Sequence, residues 1–217
     1  MRTKYEEDLK KISDKLVVMC RCIEAAVEKC VRALEERDLE LAQEVLEEDD
    51  RIDRLERKIA KSCYRLMVMQ QPVASDFRKV VTALKMITDL ERIGDQARDI
   101  AEISMKFESE WYVKKMGSIS QMAIVVIQMV RDSVQAYINR DVELARSLDS
   151  VDDKVDELFD TAKLEIISAI KENPSNTEQA MMLMMIAKYL ERIGDHAVNV
   201  GEWVEYAKTG KTPNNLK

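Results

Sequence analysis

Two pairs of acidic side chains, Glu91 with Asp95 and Glu191 with Asp195, stand four residues apart inside an identical hexapeptide. Leu90-Glu91-Arg92-Ile93-Gly94-Asp95 returns letter for letter as Leu190-Glu191-Arg192-Ile193-Gly194-Asp195, a hundred residues on. Chance rarely repeats six residues in this way, so the chain reads as a duplication. Four-residue spacing puts both carboxylates of a pair on one face of a helix. Carboxylates held together are hard oxygen donors, and the chemistry open to them is capture of a cation.

A second acidic row accompanies each pair. Asp49, Asp50 and Asp53 in the first half match Asp152, Asp153 and Asp156 in the second, so Asp-x-x-x-Asp is kept in both. With Glu91 at zero on a helical wheel, Asp95 falls near 40° and Asp99 near 80°. Phe77, Val80 and Leu84 occupy the same sector between about −20° and 40°. The apolar stripe of the helix thus becomes an acidic stripe, and unpaired acids facing inward are costly. If the two rows pack antiparallel, Asp49 and Asp53 meet Glu91, Asp95 and Asp99. Likewise Asp152 and Asp156 meet Glu191, Asp195 and Asn199. Such oxygen-only sets suit Mg²⁺, Mn²⁺, Ca²⁺ or iron, and bridging carboxylates can hold more than one ion.

Plainer readings compete. A lone Glu-x-x-x-Asp on a helix is usually a solvated surface pair, and Arg92 and Arg192 offer ordinary salt bridges. The exact repetition and the paired second row favour a metal site. Gly94 and Gly194 add to this, because a mid-helix Gly costs on the order of 1 kcal/mol and is borne twice beside the acids. His196, next to Asp195, is the single histidine and rarely would one define a site alone. The run Met181-Met182-Leu183-Met184-Met185 reads as adaptable core.

The elements that carry these residues are helices. Among 217 residues there are 5 Gly and 3 Pro, with 46% hydrophobic and 35% charged, which favours long amphipathic helices. The fold class is all-α: two tandem three-helix bundles related by internal duplication. The first helix is expected over about residues 3–37 and the second from the N-cap Asp38 to about Gln71, stopped by Pro72. Ser75 is expected to cap the third helix, which runs to about Phe107. A fourth helix begins between Trp111 and Ser118 and ends near Asn139, and Asp141 repeats the turn of Asp38. Ser175 with Glu178 reads as a capping box opening the sixth. The repeats are expected over 1–108 and 109–209, with a tail over 210–217 and the boundary at Glu108 to Trp111. With no Pro/Ser-rich linker between them, the halves should pack together.

A net charge of −7 argues against nucleic acid as the main partner. The start of the chain lacks the apolar core of a signal peptide, and no apolar stretch is long enough to span a bilayer, so a cytoplasmic protein without direct membrane insertion is expected. Cys20, Cys22, Cys30 and Cys63 form no C-x-x-C pair and read as core residues in a reducing compartment.

The doubled Leu-Glu-Arg-Ile-Gly-Asp with its trailing Ala97 and Ala197, the acidic helix before it, and Gln71-Pro72-Val73-Ala74-Ser75-Asp76-Phe77-Arg78 resemble the PhoU family. The likeness covers about residues 5 to 208. It implies two three-helix repeats, commonly a homodimer, and a negative regulator of phosphate uptake and of the phosphate-starvation response. It also implies partners, namely subunits of a phosphate ABC transporter and a sensor histidine kinase. Family resemblance further implies multinuclear metal clusters on E/D-x-x-x-D motifs, here Glu91 with Asp95, Glu191 with Asp195, Asp49 with Asp53, and Asp152 with Asp156. Divalent or trivalent ions on carboxylates are therefore expected, with iron, Mn, Mg and Zn as candidates. Asn199, where the first half has Asp99, departs from the pattern; a neutral amide donates less charge, so the second site is expected to bind metal differently or more weakly. The alternative is a metal-dependent enzyme on a helical bundle, a di-metal oxidase or a hydrolase. Ferritin-type sites need Glu-x-x-His pairs, which are absent here.

Overall fold

A computed structural model describes residues 2–107 and 117–211. In order along the chain they form α1 (Arg2–Glu36), α2 (Leu39–Gln70), α3 (Ala74–Ser104), α4 (Gly117–Asn139), α5 (Val142–Glu172) and α6 (Thr177–Thr209). No strand occurs among the described residues. The expected boundary at Glu108 to Trp111 lies outside them.

The duplication is visible in the turns. Asp38 Oδ1 accepts from the Leu41 amide at 2.9 Å, and Asp141 Oδ1 accepts from the Leu144 amide at 3.0 Å. Just before each cap, Arg37 and Arg140 both adopt φ of 56°, and the Asp38 and Asp141 amides reach back to the Ala33 and Ala136 carbonyls at 2.9 Å. This is the left-handed helix ending that usually takes glycine. Arginine there bears the strain twice, and the cap one residue on helps hold it.

Two expected caps fail. α3 opens at Ala74 after an extended Val73, and the Val73 carbonyl already holds the Asp76 amide at 3.1 Å. Ser75 therefore has no capping role. In the second half the Asn173 side chain accepts both the Ser175 amide at 3.1 Å and its hydroxyl at 2.7 Å. A 3-10 turn over Pro174–Asn176 follows, and α6 begins at Thr177, so the box of Ser175 with Glu178 does not form.

One core serves both repeats. Within each, the three helices pack on one another, while α3 lies along α6 and α1 along α4. Ile12, Leu16, Met19 and Ile23 of α1 are essentially fully buried, as are Met86, Leu90 and Ile93 of α3 and Ile186, Leu190 and Ile193 of α6. Thr82 donates a buried hydrogen bond of 3.2 Å to the Trp203 carbonyl, across the repeats. Arg131 pairs with Glu24 at 2.9 Å, also across. The halves are thus packed together, as expected.

Cys20, Cys30 and Cys63 are buried and Cys22 partly so, all as free thiols. Burial pushes the Cys30 and Cys63 thiols up to about 12, which makes them inert core groups. Other core expectations need correction. Phe77 is 45% exposed, and in the methionine run Met181 and Met185 are 54% and 48% exposed. Both methionines belong to the outer stripe of α6, on a different face from the buried Leu183 and Ile186.

Candidate functional site

Each acidic row lies where the early part of one helix crosses the late part of the next: α2 with α3, and α5 with α6. Ile52, Ile93 and Ala97 bury the contact of the first crossing, and Val155, Ile193 and Ala197 that of the second. The acids flank these apolar contacts at the edge of the core. Glycine makes room for a carboxylate in the second crossing, since a methyl at Gly194 would stand 2.6 Å from Asp152 Oδ1. At Gly94 the neighbour is instead the Ile52 side chain, at 3.0 Å.

In the first row, arginines already stand among the acids. Arg98 reaches Asp49 and Asp99 at 3.3 Å and Asp95 at 3.8 Å. Arg92 reaches Asp95 at 3.2 Å, and Arg57 reaches Asp53 at 3.4 Å. Burial raises the Asp49 carboxyl, with Asp95 and Asp53 adding to the shift and Arg98 opposing it. Glu91 is raised by burial and then by Asp95, with Arg92 pulling the other way.

The second row has no such insert. At the place of Arg98 stands Val198, and among the described residues no ion pair reaches Asp152, Asp156 or Asp195. Lys188 holds one oxygen of Glu191, while the other, Oε2, is buried without a hydrogen-bond partner. Asp152 is pushed up to about 7, first by burial and then by the charges of Asp195, Asp156, Glu191 and Asp149. Asp195 is raised by burial and by Glu191, against the pull of Lys188 and His196.

Asp99 and Asn199 turn toward the seam between the repeats. The Asn199 amide donates to Asp89 Oδ1 at 3.3 Å, and His196 Nδ1 lies 2.9 Å from the same oxygen. A carboxylate oxygen accepts, so this pairing uses the His196 tautomer with hydrogen on Nδ1. On the opposite side Asp99 bonds the phenol of Tyr189, which is raised first by burial and then by the Asp99 charge. Asp89 and Tyr189 are a hundred residues apart, so the same pair of positions is used with two different chemistries. Neither Asp89 nor Arg98 was singled out by motif. The one available signal was alignment of the halves, which sets Arg98 against Val198 and Asp89 against Tyr189.

These side chains do not form a closed cage: among the described residues no three His, Cys, Asp or Glu groups converge as metal ligands. The fit to a cation rests on donor chemistry. The second row offers clustered oxygens, an orphaned buried Glu191 oxygen, a Gly194 cradle that a methyl would fill, and too little positive charge. All of this suits a hard ion. The first row suits one less, because Arg98 occupies the centre of its charge.

The molecule is a duplicated α-helical bundle with an acidic row in each repeat and no helix, among the described residues, long and apolar enough to cross a membrane. A family model described as the PhoU domain matches residues 16–104 and again 119–204, and the chain belongs to the PhoU family. It is 36% identical over 208 residues to a phosphate-specific transport system accessory protein PhoU homolog of Clostridium acetobutylicum, with 95% of each chain covered. A PhoU homolog of Aquifex aeolicus is also 36% identical, over 87% of this chain and 86% of its own. The crystal structure of PhoU from Pseudomonas aeruginosa superposes with a TM-score of 0.87 at 33% identity, covering 95% of this chain and 100% of that one. PhoU from Streptococcus pneumoniae gives the same TM-score of 0.87 at 24% identity, covering 95% and 98%, and shares the fold. These relatives are named as accessory or regulatory proteins of phosphate transport, none as an enzyme.

Proposed function

We propose that this chain is a non-enzymatic accessory protein of a phosphate transport system that restrains phosphate uptake and the phosphate-starvation response. It acts in the cytoplasm, as a homodimer, between the transporter and a sensor histidine kinase. Membership of a family whose named relatives are transport accessories carries the role. The observation that carries the site is the uncompensated second row, where Asp152, Asp156, Glu191 and Asp195 share one surface with little cationic relief.

Those four residues would hold the metal, with Asp49, Asp53, Glu91 and Asp95 forming a weaker counterpart. When bound, the ion supplies the positive charge the row lacks. The protein's own part is to keep the acids clustered. Gly194 leaves room for the Asp152 carboxylate, and Lys188 fixes one Glu191 oxygen. Asp99 and Asn199 support the seam between repeats. An arrangement of this kind can couple ion occupancy to the α5–α6 spacing, and so to a partner that reads this face.

Elemental analysis of protein purified without chelator tests the site, beside a variant carrying Asp152→Asn and Asp195→Asn. Stoichiometric metal in the parent and loss in the folded variant is expected. Equal, negligible metal in both would leave the rows as polar recognition surfaces. The regulatory role is tested by deletion, which should turn on phosphate-starvation genes in rich phosphate; unchanged expression would refute it.

A further inference from the structure

Far from both acidic rows, a cleft of about 440 Å³ opens where the two repeats meet. Its walls come from α1 (Leu9, Ser13), the start of α3 (Ser75, Lys79), the end of α4 with its turn (Tyr137, Ile138, Arg140), and the end of α6 (Val204, Ala207, Lys208). The floor is apolar and the rim carries three cations, Lys79, Arg140 and Lys208. Among the described residues no carboxylate lines it, although the chain as a whole bears a net charge of −7.

Duplication explains the opening. A hundred residues before Ala207 stands Phe107, whose ring is buried in the core. Ala207 has no ring to bury, and the space beside it stays empty. Its surroundings are fixed. The Arg78 Nε donates to the Ala207 carbonyl at 3.5 Å, and Tyr5 donates to the Asp76 carbonyl at 2.8 Å. The Lys79 amine is steadied by Asp76 at 2.8 Å, while Arg140 and Lys208 are exposed and form no ion pair with a carboxylate among the described residues.

We infer that this cleft is a binding site for a small anionic amphiphile, an acyl or aryl group bearing a phosphate or carboxylate. The apolar body lies against Leu9, Ile138, Val204 and Ala207, and the anion meets Arg140 and Lys208 at the rim. Burying the body removes apolar surface from water, and the rim cations select the charge. Either feature alone would be ordinary surface. Their combination in one concave site, between two repeats, is the usual form of a ligand pocket.

Titration calorimetry on the full chain tests this with three probes: octyl phosphate below its micelle concentration, octanol, and inorganic phosphate. Octyl phosphate should bind one per chain, at least tenfold more tightly than either fragment. Ala207→Phe, which restores the ring found at the matching position, should weaken it tenfold or more. So should Arg140→Ser with Lys208→Ser, two exposed changes that keep the proposal testable should the Phe variant fold poorly. Circular dichroism melting would verify folding of each variant. Equal binding of octanol or of inorganic phosphate would overturn the amphiphile class, and unchanged affinity in both folded variants would overturn the location. Capture by phosphatidylglycerol vesicles without binding of free octyl phosphate would assign the chemistry to a membrane surface and overturn the cleft.

Discussion

The two acidic rows descend from one pattern and have parted in their electrostatics. The first has Arg98 at 3.3 Å from both Asp49 and Asp99, so its cation is covalently part of the chain. In the second, Val198 supplies nothing, and Asp152 is pushed up to about 7 by burial and then by the charges of its acidic neighbours. A repeat that carries its own guanidinium is insured against losing an ion. One that does not would, in the proposed role, be sensitive to whether an ion is present. Under the proposed metal role the contrast would divide labour: a half compensated by its own arginine beside a half whose compensation would vary with the ion.

The largest expected effect breaks the contrast from the first side. Arg98→Val should make the first row resemble the second and raise its metal affinity by roughly ten- to a hundredfold, the range in which neighbours tune a metal site. Equilibrium dialysis on a background of Asp152→Asn with Asp195→Asn would measure it. An unchanged first row would mean that Arg98 is not what separates the two.

Next come the glycines. A methyl at Gly201 would stand 2.9 Å from the Ala145 carbonyl oxygen, which is backbone and cannot swing away. Gly201→Ala should cost about 1–3 kcal/mol in chemical denaturation. At Gly194 the obstacle is the end of the Asp152 side chain, at 2.6 Å. Gly194→Ala should stay within about 1 kcal/mol of the parent, helped by helix propensity, yet lose metal because Asp152 is displaced. Equal destabilisation by the two changes would deny Gly194 its special place beside the acids.

The pH dependence follows from Asp152. Its folded pKa, about 7, lies above the ordinary carboxylate value of 3.8, so the native state holds the proton more tightly than the unfolded chain. Without metal, Asp152 stabilises the fold below the ordinary value, and that contribution is lost as pH rises through about 7. Asp152→Asn should thus gain about 1–2 kcal/mol at pH 8, discounted for partial solvent exposure, and little at pH 4. Melting curves across that range would decide it; a gain that does not vary with pH would point to packing instead.

The smallest contrast is expected where the repeats have stayed alike. Asp38→Ala and Asp141→Ala should each cost about 1 kcal/mol, because the two caps have the same geometry. A large inequality, seen as different losses in denaturation midpoint, would show that the turns differ in ways the hydrogen bonds do not express.

Much of this was legible in the residues. Repetition of the hexapeptide marked the duplication and the rows, and the Asp38 and Asp141 caps depend only on their own next three residues. Ser75 and Ser175 misled because a neighbouring acceptor, the Val73 carbonyl or the Asn173 amide, took the donors first. Asp99 and Asn199 were grouped with the rows, but they sit about 80° round the helix from their partners, far enough to face the seam. The role of Arg98 was hidden for another reason. A long side chain can reach several neighbours, and only the tertiary crossing shows which acids it meets. Asp89 with His196 is likewise a contact between positions 107 apart, beyond any local pattern.

The single core has a consequence for how the molecule comes apart. α3 and α6 each bury a face against the other, so neither half can leave without exposing the other's apolar surface. Calorimetry should register one cooperative melting event rather than two. A protease given the native protein should find no half that survives as a stable remnant. Duplication made two copies of a unit, and the buried seam should make them unfold as a single thermodynamic object.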